Sequence, residues 1–240
     1  MLPLKQNIRR TPKTGQGMIV RLLTLVCVLT FTVSANIIVN GGFETGDFTG
    51  WTVTTNDSSS AFGDWYVTNA SNTPLNGFPT VGPATGMFYA VSDSQEGGTR
   101  TLTQSFTAPS GDAILSGNIF INDWVGGAGS AEVGILSGVP ADPLTATPIT
   151  IAYGPADTDV VGGFPNSYVA FSEDLNGLLT PGDTYTLLIR ESDSAPFNAG
   201  VDDLSIEVSS APEPGLGFLL AVGFAFTIYR ARSRRNAQAV

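Results

Sequence analysis

The sequence predicts an all-β sandwich carried between two targeting segments, and three observations lead there. Between Ile37 and Val208, short runs of β-branched and aromatic residues are separated by Gly, Pro, Asn, Asp and Ser, with no sustained 3.6-residue apolar period. Several runs alternate cleanly: Leu204, Ile206 and Val208 share one strand face, and Tyr185, Leu187 and Ile189 share another. Ten such runs with turn residues between them suit two packed sheets that bury their inner faces in one core.

In chain order, strands are expected at 51–55, 65–68, 87–92, 99–106, 113–122, 131–136, 149–152, 168–172, 184–190 and 202–208. The segments 57–63, 71–83 and 154–166 are rich in Gly, Pro, Ser and Asn. Long loops in compact β domains carry function or move. No internal repeat is present.

The ends have a different character. Arg21, the apolar run 22–33 and the small residues Ser34 and Ala35 have the three parts of a secretory signal, so residues 1–35 form an extension and signal peptide cut after Ala35. Initiation at Met1 or at Met18 fits, the latter giving a signal of ordinary length. The sandwich is expected over 36–208 and a linker over 209–213. Beyond it come Pro212, Glu213 and Pro214, an apolar run over 216–229, the arginines Arg230, Arg232, Arg234 and Arg235, and a tail over 236–240. A membrane-length helix followed by a basic stop is a membrane anchor that leaves the arginines in the cytoplasm. The order over 212–235 resembles the PEP-CTERM sorting signal of bacteria. That resemblance implies an exosortase-type sorting enzyme as partner, cleavage near the motif, and delivery to the cell surface or extracellular matrix. An ordinary single-span anchor is the alternative.

Charge narrows the partners. Nine of the eleven basic residues lie before Asn36 or after Ala211, leaving Arg100 and Arg190 against twenty acidic residues and a net charge of −18. Such a surface repels nucleic acid and anionic headgroups and attracts divalent cations. The only cysteine, Cys27, lies in the signal, and histidine is absent. Disulfides, thiolate or imidazole zinc sites, and Ser-His-Asp or Cys-His nucleophiles are therefore excluded from the domain.

The opening Asn40-Gly41-Gly42-Phe43-Glu44, the later Trp51, the turn and strand 181–187 and the closing strand 200–206 resemble galactose-binding-like jelly rolls, the β-sandwich fold of many carbohydrate-binding modules. The resemblance implies a first strand and turn at Asn40 to Trp51. It also implies a structural calcium shared by Glu44 of the first strand with Asp202 and Asp203 of the last. Asp202 has the parity of inward-facing Leu204 and Ile206, and a cation would relieve the cost of burying it. Two solvated strand-end carboxylates are the alternative. Phe43 and Trp51 are expected in the core.

Exposed aromatic rings match the apolar faces of pyranoses, and Trp65, Tyr66 and Trp124 are the ligand-binding candidates, with core packing as their other use. No catalytic residue stands out. Three functions compete: a non-catalytic, exported module that binds extracellular polysaccharide, a structural or adhesive matrix protein without a small ligand, and a carboxylate-dependent glycoside hydrolase.

Overall fold

The structure, a computed structural model, describes residues 34–56, 63–95, 97–127, 129–156, 164–194 and 196–209. They belong to one compact unit, Ser34–Ser210. The expected signal through Val33, the expected sorting segment Pro212 to Arg235 and the tail lie outside the described residues.

The described strands are β1 (Ser34–Asn36), β2 (Thr52–Thr55), β3 (Trp65–Thr68), β4 (Tyr89–Ser92), β5 (Gly98–Thr107) and β6 (Asp112–Asp123). They continue with β7 (Gly129–Ser137), β8 (Thr150–Ala156), β9 (Val169–Asp174), β10 (Thr184–Asp193) and β11 (Phe197–Ser209). Two antiparallel sheets result. One runs β3-β4-β11-β6-β9 with β1 also paired to β11, and the other runs β2-β5-β10-β7-β8. Each of the ten strands expected from the alternation is present. β11 starts earlier than expected, because Asn198 and Gly200 read as breakers in the sequence yet sit in a ladder with β6. Gly200 is needed there: a Cβ would collide with the Phe120 ring.

The alternation read from the sequence builds the main core. Leu102 and Phe106 of β5, Leu187 and Ile189 of β10 and Val133 and Ile135 of β7 pack with Leu115 and Ile119 of β6 and Val201 of β11. Phe43 and Trp51 join them, with ring centroids 5.6 Å apart. Arg100 has the parity of Leu102 and is likewise fully buried, paired with Glu191 at 2.7 Å and Asp193 at 3.1 Å. Burial pushes the carboxyls of Glu191 and Asp193 above the usual range, against the pull of the guanidinium.

A second, smaller core lies on the outer face of the six-stranded sheet, where Tyr89, Val91 and Phe120 meet Tyr66, Val81 and Tyr168. The long connection between β3 and β4 covers it. Tyr168 donates to the Gly82 carbonyl at 3.0 Å, Tyr89 to the Ala70 carbonyl at 3.0 Å, and the hydroxyls of Thr80 and Tyr89 meet at 2.5 Å. The buried Asp93 carboxylate accepts the amide N–H groups of Leu75 and Asn76 at 2.6 and 2.9 Å. This segment is a packed structural layer.

The first and last described strands lie side by side. Ala35 pairs with Val208 and Asn36 with Glu207. Cleavage after Ala35 would trim β1 and keep Asn36, whose Oδ1 accepts the N–H groups of Ile38 at 2.9 Å and Ile206 at 3.1 Å.

Candidate functional site

Three places were legible or hidden in the sequence to different degrees: an acidic clasp, a set of aromatic rings and a groove. In the clasp, Asn40 to Glu44 is a sequence of turns, not the first strand expected. Asn40 and Phe43 have φ of 52° and 56°, and the Leu204 N–H donates to the Gly41 carbonyl at 3.0 Å. A Cβ on Gly41 would collide with the Leu204 carbonyl, so only glycine lets this turn dock. β11 bulges between Asp202 and Ser205, with Asp203 at φ 54°. The bulge reverses the alternation the sequence suggested. Val201 and Leu204 both point into the main core, and Asp202 instead points outward beneath the 84–85 turn, where it is nevertheless fully buried.

Glu44, Asp202 and Asp203 do come together around residues 84–88. The Asp202 Oδ2 accepts from the N–H of Ala84 at 2.8 Å and Thr85 at 3.2 Å, and its Oδ1 from the Asp203 N–H at 2.7 Å. Glu44 accepts from the Met87 N–H at 2.9 and 3.1 Å and from the Phe88 N–H at 3.1 Å. Asp203 accepts from the Thr85 hydroxyl at 2.6 Å and the Asn118 amide at 3.0 Å. Burial raises the Asp202 carboxyl to about 6, and the nearby Asp203 charge adds to the rise against its backbone donors. Among the described residues no group of three or more His, Cys, Asp or Glu side chains is arranged to hold a metal ion. Each of these carboxylate oxygens accepts from an N–H or O–H donor, and for Asp202, the buried one of the three, those donors offset the cost of burial.

The aromatic candidates are spent on the protein. Trp65 belongs to the main core at 3% exposure, and among the described residues its indole N–H finds no acceptor. Tyr66 is half-buried against the second core. Trp124 is also half-buried, with the Phe78 ring stacked at 4.8 Å and 26° and the Phe164 ring at 4.2 Å and 40°. Both rings cover part of the indole. Its N–H donates to Asn198 Oδ1 at 2.7 Å. Expectation placed sugars on these rings; the structure uses Trp124 to fasten three connections together.

The groove lies on the outer face of the five-stranded sheet. Ser130 and Glu132 of β7 have the parity opposite to core-facing Ala131 and Val133, and Arg190 and Ser192 of β10 the parity opposite to Ile189. Register brings them together: Ser192 stands opposite both Ser130 and Thr99, and Arg190 opposite both Glu132 and Thr101. The connection between β7 and β8 forms a wall. Asp142 orders it by accepting the Leu144 N–H at 3.0 Å and the Thr145 hydroxyl at 2.8 Å. Arg190 braces it by donating to the carbonyls of Leu144 at 3.2 Å and Ala146 at 2.8 Å, while its other terminal nitrogen pairs with Glu132. The resulting cavity of about 350 Å³ is lined by Ser130, Glu132, Leu144, Thr145, Arg190 and Ser192. Hydroxyls, a carboxylate and a guanidinium offer paired donors and acceptors to a polyol. The sequence showed the parity of these residues but not that β7 and β10 are neighbours.

No family model and no curated protein matches the chain. Similar solved structures include the K3 cleaved adhesin domain of Lys-gingipain from Porphyromonas gingivalis, at 14% identity and a TM-score of 0.49, covering 73% of this chain and 99% of that one. The CBM22-1 xylan-binding domain of Paenibacillus barcinonensis Xyn10C is 14% identical, with a TM-score of 0.44 and coverage of 75% and 99%. TmCBM61, solved in complex with beta-1,4-galactotriose, is 13% identical, with a TM-score of 0.41 and coverage of 72% and 97%.

Proposed function

We propose that the chain is an exported, non-catalytic β-sandwich of the cell envelope or extracellular polysaccharide matrix, and that it binds a glycan on the outer face of its five-stranded sheet. The groove between β7, β10 and the braced 138–149 connection carries this reading. Its floor is an ion pair with both side chains largely buried, at 18% exposure for Arg190 and 8% for Glu132, and its rim is hydroxyl-rich. A fixed, polar, concave surface is what oriented hydrogen bonding to sugar hydroxyls requires.

The order of residues over 212–235 supports export and sorting by an exosortase-type enzyme, with the membrane as partner until processing. Ser130 and Ser192 lie toward the strand ends that join β6 to β7 and β10 to β11. Asn36 and Ser209 lie toward the opposite ends. The groove therefore lies toward the end of the sandwich opposite residue 209.

The enclosure of Trp65 and Trp124 favours a second reading, a structural or adhesive matrix protein without a small ligand. Hydrolysis is the least supported: among the described residues Glu132 is the one carboxylate lining the groove, and glycoside hydrolysis takes two. Affinity electrophoresis against a polysaccharide panel separates the first two. Retardation that disappears when Ser192→Tyr fills the groove supports glycan binding; no retardation, or retardation indifferent to Ser192→Tyr, leaves the matrix reading.

A further inference from the structure

We infer that the groove takes a neutral saccharide and rejects uronate and sulfated glycans, with Glu132 as the residue that sets this selectivity. The inference rests on the glycan-binding reading and adds the charge of the ligand. Arg100 and Arg190 are the only cations between residues 36 and 211. Neither is placed to receive an anion. Arg100 is enclosed with Glu191 and Asp193 inside the sandwich. Arg190 does reach the groove, but its charge is paired with Glu132 and one terminal nitrogen donates to the carbonyls of Leu144 and Ala146.

The pair is neutral as a unit. A sugar carboxylate or sulfate approaching Arg190 meets the Glu132 carboxylate beside it, in a domain carrying a net −18. Displacing Glu132 would leave a carboxylate at 8% exposure without its partner, a costly state. Hydroxyl groups need no countercharge. Ser130 can donate and accept, the Thr145 oxygen can accept although its O–H is given to Asp142, Ser192 keeps an acceptor lone pair beside its hydrogen bond to Thr99, and the Glu132 carboxylate accepts from sugar O–H groups. The site thus combines attraction to polyols with a built-in repulsion of polyanions.

The test uses the full-length chain in mild detergent and matched pairs of probes: dextran with dextran sulfate, β-1,4-galactan with polygalacturonate, and cello-oligosaccharides with carboxymethyl cellulose. Binding is measured at low salt and at about 0.15 M salt. In at least one pair the neutral member should bind, with the acidic member weaker by about tenfold or more at low salt and the gap narrowing as salt rises. Glu132→Gln keeps an acceptor for Arg190 and removes the charge, so it should narrow the same gap at low salt by about tenfold while neutral binding persists. An acidic member that binds the parent as tightly as its neutral counterpart overturns the inference while glycan binding survives. So does a gap indifferent to salt, which the parent reports even should Glu132→Gln fail to fold. Binding of no probe removes the glycan reading itself, and the inference with it.

Discussion

Trp124→Ala separates a fastening role from a sugar-stacking role. In the folded protein its indole is stacked on Phe78 at 4.8 Å, meets the tilted Phe164 ring at 4.2 Å and donates to Asn198, which is fully buried. Each ring contact contributes about 0.5–1.5 kcal/mol beyond its area. Leaving the Asn198 carbonyl oxygen without its donor costs about 1–3 kcal/mol more. With the lost apolar contact, the substitution should cost about 3–5 kcal/mol. At about 2–4 °C per kcal/mol for a domain of this size, the melting temperature should fall by roughly 6–20 °C. Trp124→Phe keeps stacking and loses only the N–H, so it should cost about 1–3 kcal/mol. Thermal unfolding by circular dichroism reads both, alongside glycan affinity. An unchanged melting temperature with lost affinity would refute the fastening argument and return the ring to a ligand.

Much of the fold could be read from local pattern, because strand alternation and turn residues are short-range signals. Phe43 and Trp51 entered the core as their neighbours implied. The site was less legible for a physical reason: every misplaced residue depends on something non-local. Asp202 was assigned inward because a bulge cannot be seen in alternation. Trp65 and Trp124 sit near polar, glycine-rich stretches that suggest exposure, yet cross-chain packing encloses them. Glu132 and Arg190, separated by 58 positions, become neighbours only through the β7–β10 register. The acidic composition was read as a solvated surface, whereas Asp93, Asp202 and Glu44 hold loop amides in a domain without disulfides.

Three further outcomes are expected. Glu191, Asp193 and Asp202 have folded-state pKa values raised above the ordinary carboxylate range, so the folded state binds their protons more tightly. Stability should then rise as pH falls from 7.5 through about 6 toward the ordinary range near about 4 and be lost in the opposite direction; a melting temperature that drops steadily from pH 7.5 to 5.5 at fixed ionic strength would contradict this. Because N–H donors close the clasp, calcium and chelator should shift the melting of the parent and of Glu44→Gln alike, with Glu44→Gln itself less stable by about 1 kcal/mol at most; a calcium shift present in the parent and absent in Glu44→Gln would restore a metal there. Intact-mass analysis of the mature protein should show a species lacking residues 230–240, and a membrane-embedded form retaining Arg230 to Arg235 would support a simple anchor.

The central claim is that the glycan lies on the five-stranded sheet and not on the aromatic rings. Amide chemical-shift mapping during titration with a neutral oligosaccharide that binds in the polysaccharide screen tests it most directly. The largest shifts should fall on Ser130, Glu132, Thr145 and Ser192, with Trp65, Tyr66 and the Trp124 indole N–H unmoved. Saturable shifts centred on Trp124, Phe78 and Phe164, with the groove residues silent, would contradict it.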